Sequence, residues 1–112
     1  MNNKNRLIVW NKYGKRCAYC GKAIKYKEMQ VDHIIPKNIG GTDDITNLNP
    51  SCRRCNHYKR TYSIEQYRQL LITLHERIKK IYINKVGLDY GIIKINECDG
   101  KFYFEKELLN EN

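Results

Sequence analysis

Two Cys-x2-Cys pairs frame the centre of this chain: Cys17-Ala18-Tyr19-Cys20 and Cys52-Arg53-Arg54-Cys55, with 31 residues between them. A Cys-x2-Cys turn directs two thiolates at one point, and two such turns supply the four soft ligands of a tetrahedral zinc site. Four thiolates leave no open coordination position, so we expect a structural zinc ion held by Cys17, Cys20, Cys52 and Cys55. Iron in the same cage and redox-active dithiols are the alternatives. Neither pair follows a strand in a βαβ pattern, which disfavours the dithiols.

The predicted zinc site turns everything between the two pairs into a closed loop, which contains Asp32, His33 and Asn47. Structural zinc contributes on the order of 10 kcal/mol of apparent binding free energy, comparable to the whole stability of a small domain. We therefore expect the metal-free protein to be largely unfolded.

The order strand, loop, strand, helix is predicted inside this loop and just after it. Val31-Asp32-His33-Ile34-Ile35 is a β-branched run closed by a proline, which is typical of a short strand. Residues 37–44 contain the turn-forming pairs Gly-Gly and Asp-Asp. A second strand is expected at residues 47–50, and a helix from Cys52 to about Tyr62.

Three further elements are predicted outside the closed loop. Residues 7–13 are expected to form a short N-terminal helix that stops at a glycine, with a strand as the alternative for so brief a run. A longer helix of about residues 63–85 carries apolar residues at three- and four-residue steps. A β-hairpin of about residues 90–106 turns at Asp99-Gly100 and brings Phe102 and Phe104 to one face.

Composition indicates a single basic domain, residues 1–112, with a core at about 7–61. Lys and Arg number 21 against 12 acidic residues, a net charge of +9. Such an excess favours a polyanionic partner, although charge alone does not separate nucleic acid from an anionic membrane. No run approaches the ~18 apolar residues of a membrane span, and no signal-peptide pattern begins the chain. We therefore expect a cytoplasmic protein without a membrane partner.

Asp32 and His33 have the chemistry that phosphodiester hydrolysis requires. A carboxylate is a hard oxygen ligand suited to Mg²⁺ or Mn²⁺, and a neutral imidazole accepts a proton from water near neutral pH. Hydrolysis needs a cation to stabilise charge on the phosphate and a base to activate water. Asn56, just inside the predicted helix, offers an amide oxygen for the same cation.

These segments together resemble the HNH endonucleases, in the zinc-bearing subgroup with two Cys-x2-Cys pairs. The resemblance covers about residues 7–61. It rests on the two cysteine pairs with Gly21, Val31-Asp32-His33-Ile34-Ile35-Pro36, Gly40-Gly41-Thr42-Asp43-Asp44, Asn47-Leu48 and Asn56-x2-Lys59. It implies a ββα-metal (His-Me finger) core with a four-cysteine zinc site. Together with the flanking helices and the C-terminal β-hairpin predicted above, this gives an α+β fold.

The resemblance also assigns the catalytic residues. It makes His33 the first motif residue and general base, and Asp32 the metal-binding acid beside it. Asn47 becomes the middle motif residue, which fixes the loop and orients His33. Asn56 becomes the third motif residue and the second ligand of the catalytic cation, where the literal pattern has histidine. His57 lies next to it and is the alternative third residue.

A metal-dependent DNA endonuclease is the function that the resemblance implies. It would cut double-stranded DNA with Mg²⁺, Mn²⁺ or Ni²⁺, leaving 5′-phosphate and 3′-hydroxyl ends. Arg53, Arg54, Lys59 and Arg60 are the predicted phosphate contacts on the helix, with Lys59 favoured among them. The origin would be bacterial or phage, and a homodimer and a larger phage or restriction assembly are both compatible with it.

Two alternatives stay open on the sequence. The first is a zinc module that binds nucleic acid or protein without catalysis, in which Asp32 and His33 would be dispensable. The second is an RNA-directed nuclease on the same fold. The sequence does not decide the target site or the choice between nicking and double-strand cleavage.

Overall fold

The computed structural model of the protein describes residues 1–110, and within them it combines helices with a small sheet. The elements are α1 (Asn3–Asn11), β1 (Gln30–His33), β2 (Leu48–Ser51), α2 (Arg53–Lys59), α3 (Ile64–Ile72), α4 (Leu74–Lys79), α5 (Tyr82–Asp89) and α6 (Tyr103–Asn110). The predicted N-terminal helix and the order strand, loop, strand, helix are confirmed, and so is the α+β class.

The sheet pairs β1 with β2 in antiparallel register, with Asp32 opposite Asn49. The first cysteine turn joins this sheet, because the Ala18 amide donates a hydrogen bond to the Pro50 carbonyl at 2.8 Å. Helix α2 begins directly after β2. Cys52 caps it by accepting a hydrogen bond from the Cys55 amide at 3.4 Å.

A small core lies between α1 and the sheet. Val9, Met29 and Leu48 are all buried. Lys12, the residue directly after α1, donates a hydrogen bond from its Nζ to the Leu48 carbonyl at 2.7 Å, which connects the end of α1 to the start of β2. This packing holds β2, the strand that pairs with β1, against α1.

The chain divides into two compact units: Met1–Ile64 together with the C-terminal segment from Phe102, and Glu65–Lys101. The sheet, α1, α2 and all four predicted zinc ligands belong to the first unit. The organisation as a single HNH domain stays a prediction. Among the described helices, none combines the length and apolar character that crossing a membrane requires.

The single helix predicted over residues 63–85 is wrong, because three helices occupy this region. The Thr73 hydroxyl donates to the Gln69 carbonyl at 2.8 Å where α3 gives way to α4. Such back-bonding bends helices. Ile81 is extended, with ψ 127°, and separates α4 from α5, which continues through Gly87 instead of stopping before it. The apolar repeat keeps the same period on each piece, so periodicity did not reveal the breaks.

The hairpin predicted over residues 90–106 is also wrong. In the described part of this region there is no paired strand, and its last residues begin α6. The chain bends at Gly100, which has φ 77°, and the Lys101 amide donates to the Asp99 carboxylate at 3.0 Å. A change of chain direction at Asp99-Gly100 was therefore predicted correctly, but the two strands on either side of it were not.

Glu105 explains the helix that replaces the second strand. It is the third residue of α6, and its carboxylate accepts the Phe102 amide hydrogen at 2.9 Å. This is half of a capping box, with phenylalanine where the pattern expects serine or threonine. Phe102 and Phe104 pack against the Tyr19 ring, with centroids 5.3 Å and 6.0 Å away. Burial of aromatic surface thus outweighs their strand propensity.

Candidate functional site

The four paired cysteines converge on one point. Their sulfur atoms all lie within 4.8 Å of one another, and those of Cys20 and Cys52 are 3.9 Å apart. A tetrahedron with Zn–S bonds of about 2.3 Å separates its sulfurs by about 3.8 Å. The cluster therefore fits a structural metal such as zinc, in both donor type and spacing.

The first cysteine turn is closed by its own backbone. The Cys17 amide donates to the Lys22 carbonyl at 2.8 Å, and the Gly21 amide donates to the Cys17 carbonyl at 3.0 Å. Gly21 has φ 79°, and a Cβ there would lie 2.8 Å from the Tyr103 ring. The hydrogen bond with Cys55 lowers the pKa of Cys17 to about 4, and the same contact raises the pKa of Cys55. Because these neighbouring thiols oppose each other's ionisation, all four can be ionised together only when a cation balances their charge.

Asp32, His33 and Asn56 line a second feature, a cavity of about 410 Å³ between β1 and α2. Lys37 and Arg60 line the same cavity. Asn56 lies in α2 and Arg60 directly follows the last residue of this helix. The structure therefore gathers a carboxylate, an imidazole, an amide and two cations around one space.

Asp32 is held on its inner side by two buried groups. The carboxylate is only 5% exposed. The Tyr19 hydroxyl donates to its Oδ2. Lys59 Nζ lies 3.0 Å from Oδ2 and 3.3 Å from Oδ1, and it also donates to the His33 carbonyl at 3.1 Å. The Lys59 ammonium thus binds the Asp32 carboxylate and the backbone of His33 inside the protein.

The predicted phosphate contact of Lys59 is contradicted by this arrangement. Its side chain is 0% exposed and neutralises Asp32, so it does not reach a nucleic acid. The error was to place Lys59 on the exposed face of the helix with the three arginines. A signal was available, since Cys52, Cys55 and Lys59 follow three- and four-residue steps and share the inner face of α2.

Tyr19 and Asn49 were missed as site residues. Burial and the adjacent Asp32 carboxylate raise the pKa of Tyr19, so the phenol stays protonated and donates. Asn49, opposite Asp32 in the sheet, points its Nδ2 at the Tyr19 hydroxyl at 3.5 Å. The strand register, which the sequence did not predict, places Asn49 opposite Asp32. The position of Tyr19 inside a cysteine turn carries no periodic signal.

His33 contacts Asp43, which the sequence identified only as part of a loop motif. Its Nε2 lies 2.8 Å from Oδ1 of Asp43, and Lys37 Nζ lies 3.0 Å from the other carboxylate oxygen. The His33 ring is 28% exposed and Asp43 is 64% exposed. The hydrogen bond with His33, and then that with Lys37, hold the pKa of Asp43 below its ordinary value.

Asn47 anchors the loop that carries Asp43. Its Oδ1 accepts the Ile35 amide at 2.9 Å, and its Nδ2 donates to the carbonyls of Ile35 and Thr42 at 3.1 Å and 2.8 Å. Gly41 lets the loop approach itself, because a Cβ there would lie 1.7 Å from the Ile35 carbonyl oxygen. The loop is therefore fixed at the end of β1, next to His33.

A larger cavity of about 620 Å³ lies on another side of α2 and is basic. It is lined by Arg53, Arg54, His57, Lys22 and Lys27, among others. Within residues 1–110, no ion pair neutralises the two arginines or the two lysines. His57 lines this basic cavity, whereas Asn56 lines the smaller cavity together with Asp32 and His33.

Comparisons with known proteins match the same part of the chain. Residues 17–71 match the family model described as HNH endonuclease. The CRISPR-associated endonuclease Cas9 of Corynebacterium diphtheriae is 42% identical over 45 residues, 39% of this chain and 4% of the relative. That of Actinomyces naeslundii is 40% identical over 55 residues, 48% of this chain and 5% of the relative. The chain therefore spans only about one-twentieth of these relatives.

A solved structure agrees with the sequence matches. The crystal structure of the Type II-C Cas9 enzyme from Actinomyces naeslundii superposes with a TM-score of 0.53 and 35% sequence identity. The match covers 58% of this chain and 7% of that one.

Proposed function

Through residues 17–71 the chain belongs to the HNH endonuclease family, and we propose that it hydrolyses DNA phosphodiester bonds with a divalent cation. The observation that carries this proposal is the cavity shared by Asp32, His33 and Asn56. A non-catalytic zinc module would have no need to gather these three side chains in one place.

The ββα-metal core would consist of β1, β2 and α2, tied to the first cysteine turn by a structural zinc ion. Asp32 and Asn56 would hold the catalytic cation, since carboxylate and amide oxygens are hard ligands suited to Mg²⁺ or Mn²⁺. When bound, that cation supplies stabilisation of the charge on the scissile phosphate and on the leaving 3′-oxygen. His57 lines the other cavity, so we assign the third motif position to Asn56.

His33 would act as the general base. With Asp43 ionised, Nε2 carries the hydrogen and donates it to Oδ1, which leaves the lone pair of Nδ1 to accept a proton from water. The water oxygen then bonds to phosphorus and the bond to the 3′-oxygen breaks. The products are a 5′-phosphate and a 3′-hydroxyl that takes its proton from solvent. Asp43 stabilises the imidazolium that forms.

Nucleic-acid binding would rest on cations at both cavities. Arg60 lines the catalytic cavity, and Arg53 and Arg54 line the larger basic one. Backbone phosphate contacts give affinity without direct sequence information, so we propose duplex DNA as substrate with little sequence preference from α2 itself.

Nicking of supercoiled plasmid DNA by the zinc-loaded protein tests this function. We expect nicking when Mg²⁺, Mn²⁺ or Ni²⁺ is added and none without an added cation. Asn56→Ala should abolish it, whereas His57→Ala, its matched neighbour, should not. Competition between duplex DNA and structured RNA distinguishes a DNA endonuclease from an RNA-directed nuclease. Binding of DNA without any cutting would favour the non-catalytic zinc module.

A further inference from the structure

The contacts of Asp32 divide its two oxygens unequally. Oδ2 accepts a hydrogen bond from the Tyr19 hydroxyl and lies 3.0 Å from Lys59 Nζ in an ion pair, whereas Oδ1 accepts a hydrogen bond from Lys59 at 3.3 Å. A carboxylate offers about four lone-pair positions, two on each oxygen. Among the described residues, Oδ2 therefore has two close partners inside the protein, and Oδ1 has one.

We propose that Tyr19 is a positioning residue, which secures Oδ2 of Asp32 within the protein and thereby reserves Oδ1 for the catalytic cation. This inference rests on the proposed function, because it takes Asp32 as a ligand. The cation would accordingly bind Asp32 through one oxygen. Lys59 contacts both oxygens of Asp32 and balances the buried charge, whereas the contact of the Tyr19 hydroxyl with this carboxylate is through Oδ2.

The surroundings of Tyr19 suit this role, because the ring has little freedom to move. It lies within the first cysteine turn, between two ligands of the predicted zinc site. Its carbonyl accepts the Tyr103 amide at 3.1 Å, and its ring packs edge-on against Phe102 at 5.3 Å. The structural metal site thus sets the position of the phenol, and the phenol sets the orientation of Asp32.

Residues around a metal ligand commonly change metal affinity by about 10- to 100-fold when they are removed. Tyr19→Phe deletes only the hydroxyl and keeps the ring packing, so we expect Mn²⁺ affinity to decrease by about 10- to 100-fold. A purely structural role would instead alter zinc content or thermal stability.

The experiment is titration of Mn²⁺ into zinc-loaded protein without nucleic acid, followed by electron paramagnetic resonance of the free ion. Tyr103→Phe is the matched control, since its hydroxyl pairs with Glu107 while its ring packs beside the same turn. We expect Tyr19→Phe to bind Mn²⁺ at least about tenfold more weakly and Tyr103→Phe to match wild type.

Equal Mn²⁺ affinity in Tyr19→Phe and wild type would overturn the inference, and if wild type still nicks plasmid the proposed function survives. Loss of zinc or of helical circular dichroism in Tyr19→Phe would also overturn it, because the hydroxyl would then support the fold. A wild-type protein that neither binds Mn²⁺ nor nicks DNA would overturn both.

Discussion

His33 Nε2 and Asp43 Oδ1 lie 2.8 Å apart, across the loop that joins the two strands of the sheet. Since this contact orients the proposed base, Asp43→Asn should lower the rate of plasmid nicking at neutral pH by about 10- to 100-fold. The variant keeps the shape of the side chain and removes its charge. Asp44→Asn is the control, because Asp44 contacts Thr42 and not His33.

The same pair gives stability a definite pH dependence. The hydrogen bonds from His33 and Lys37 hold the pKa of Asp43 below its ordinary value. Their stabilising effect is therefore complete above the ordinary carboxyl pKa and is lost as pH falls through the lowered one.

Nicking by Asp43→Asn at the wild-type rate would remove Asp43 from the mechanism.

Metal removal should unfold the protein. The four sulfurs within 4.8 Å of one another leave this small core dependent on a cation. We expect exhaustive chelation, or Cys17→Ser, to abolish the cooperative melt seen by circular dichroism. Cys98→Ser should have no such effect, because Cys98 is exposed and lies outside the cluster. An unchanged melt after verified metal loss would show that the zinc is dispensable.

Arg60 holds a strained backbone conformation beside the proposed catalytic cavity. Its φ of 54° and ψ of −129° belong to a region that glycine adopts and other residues avoid. Arg60→Gly should raise the free energy of unfolding by about 1 to 3 kcal/mol while weakening duplex binding.

Urea denaturation and binding of labelled duplex measure the two effects of Arg60→Gly. Arg60→Ala removes the same guanidinium but retains a Cβ, so it should weaken binding without stabilising the fold. Gains in stability that are equal for the two variants would show that backbone strain is not the cause.

Arg53 and Arg54 should contribute phosphate contacts. Each contact with B-DNA contributes about 0.9 to the slope of log binding constant against log salt. The double variant Arg53→Gln/Arg54→Gln should therefore reduce that slope by about 2 in duplex binding without added divalent cation. Lys25→Gln is the control, because Lys25 is exposed and lines neither cavity. An unchanged slope would remove the two arginines from the interface.

The sequence predicted those parts of the molecule that depend on local spacing. The two cysteine pairs, the strand that ends near Pro36 and the helix after Cys52 all follow from chemistry within a few residues. The gathering of Asp32, His33 and Asn56 at one cavity was expected from the resemblance, and the structure brings these residues together. Their catalytic roles stay predictions.

The parts that the sequence did not predict depend on contacts between distant segments. Lys59 is buried only because β1 presents Asp32 to the inner face of α2, a partner 27 residues away. Phe102 follows the bend at Gly100, yet it packs on Tyr19 and precedes a helix instead of pairing with a strand. Such choices are decided by tertiary packing, which outweighs local propensity.

The central claim is that His33 activates the attacking water in a divalent-cation site. Single-turnover nicking of supercoiled plasmid by His33→Ala, with duplex affinity measured in parallel, tests it most directly. We predict a loss of at least about 100-fold in rate with binding retained, because the variant removes the base and few phosphate contacts. His75→Ala, on α4, should nick at the wild-type rate. Wild-type nicking by His33→Ala would contradict the account.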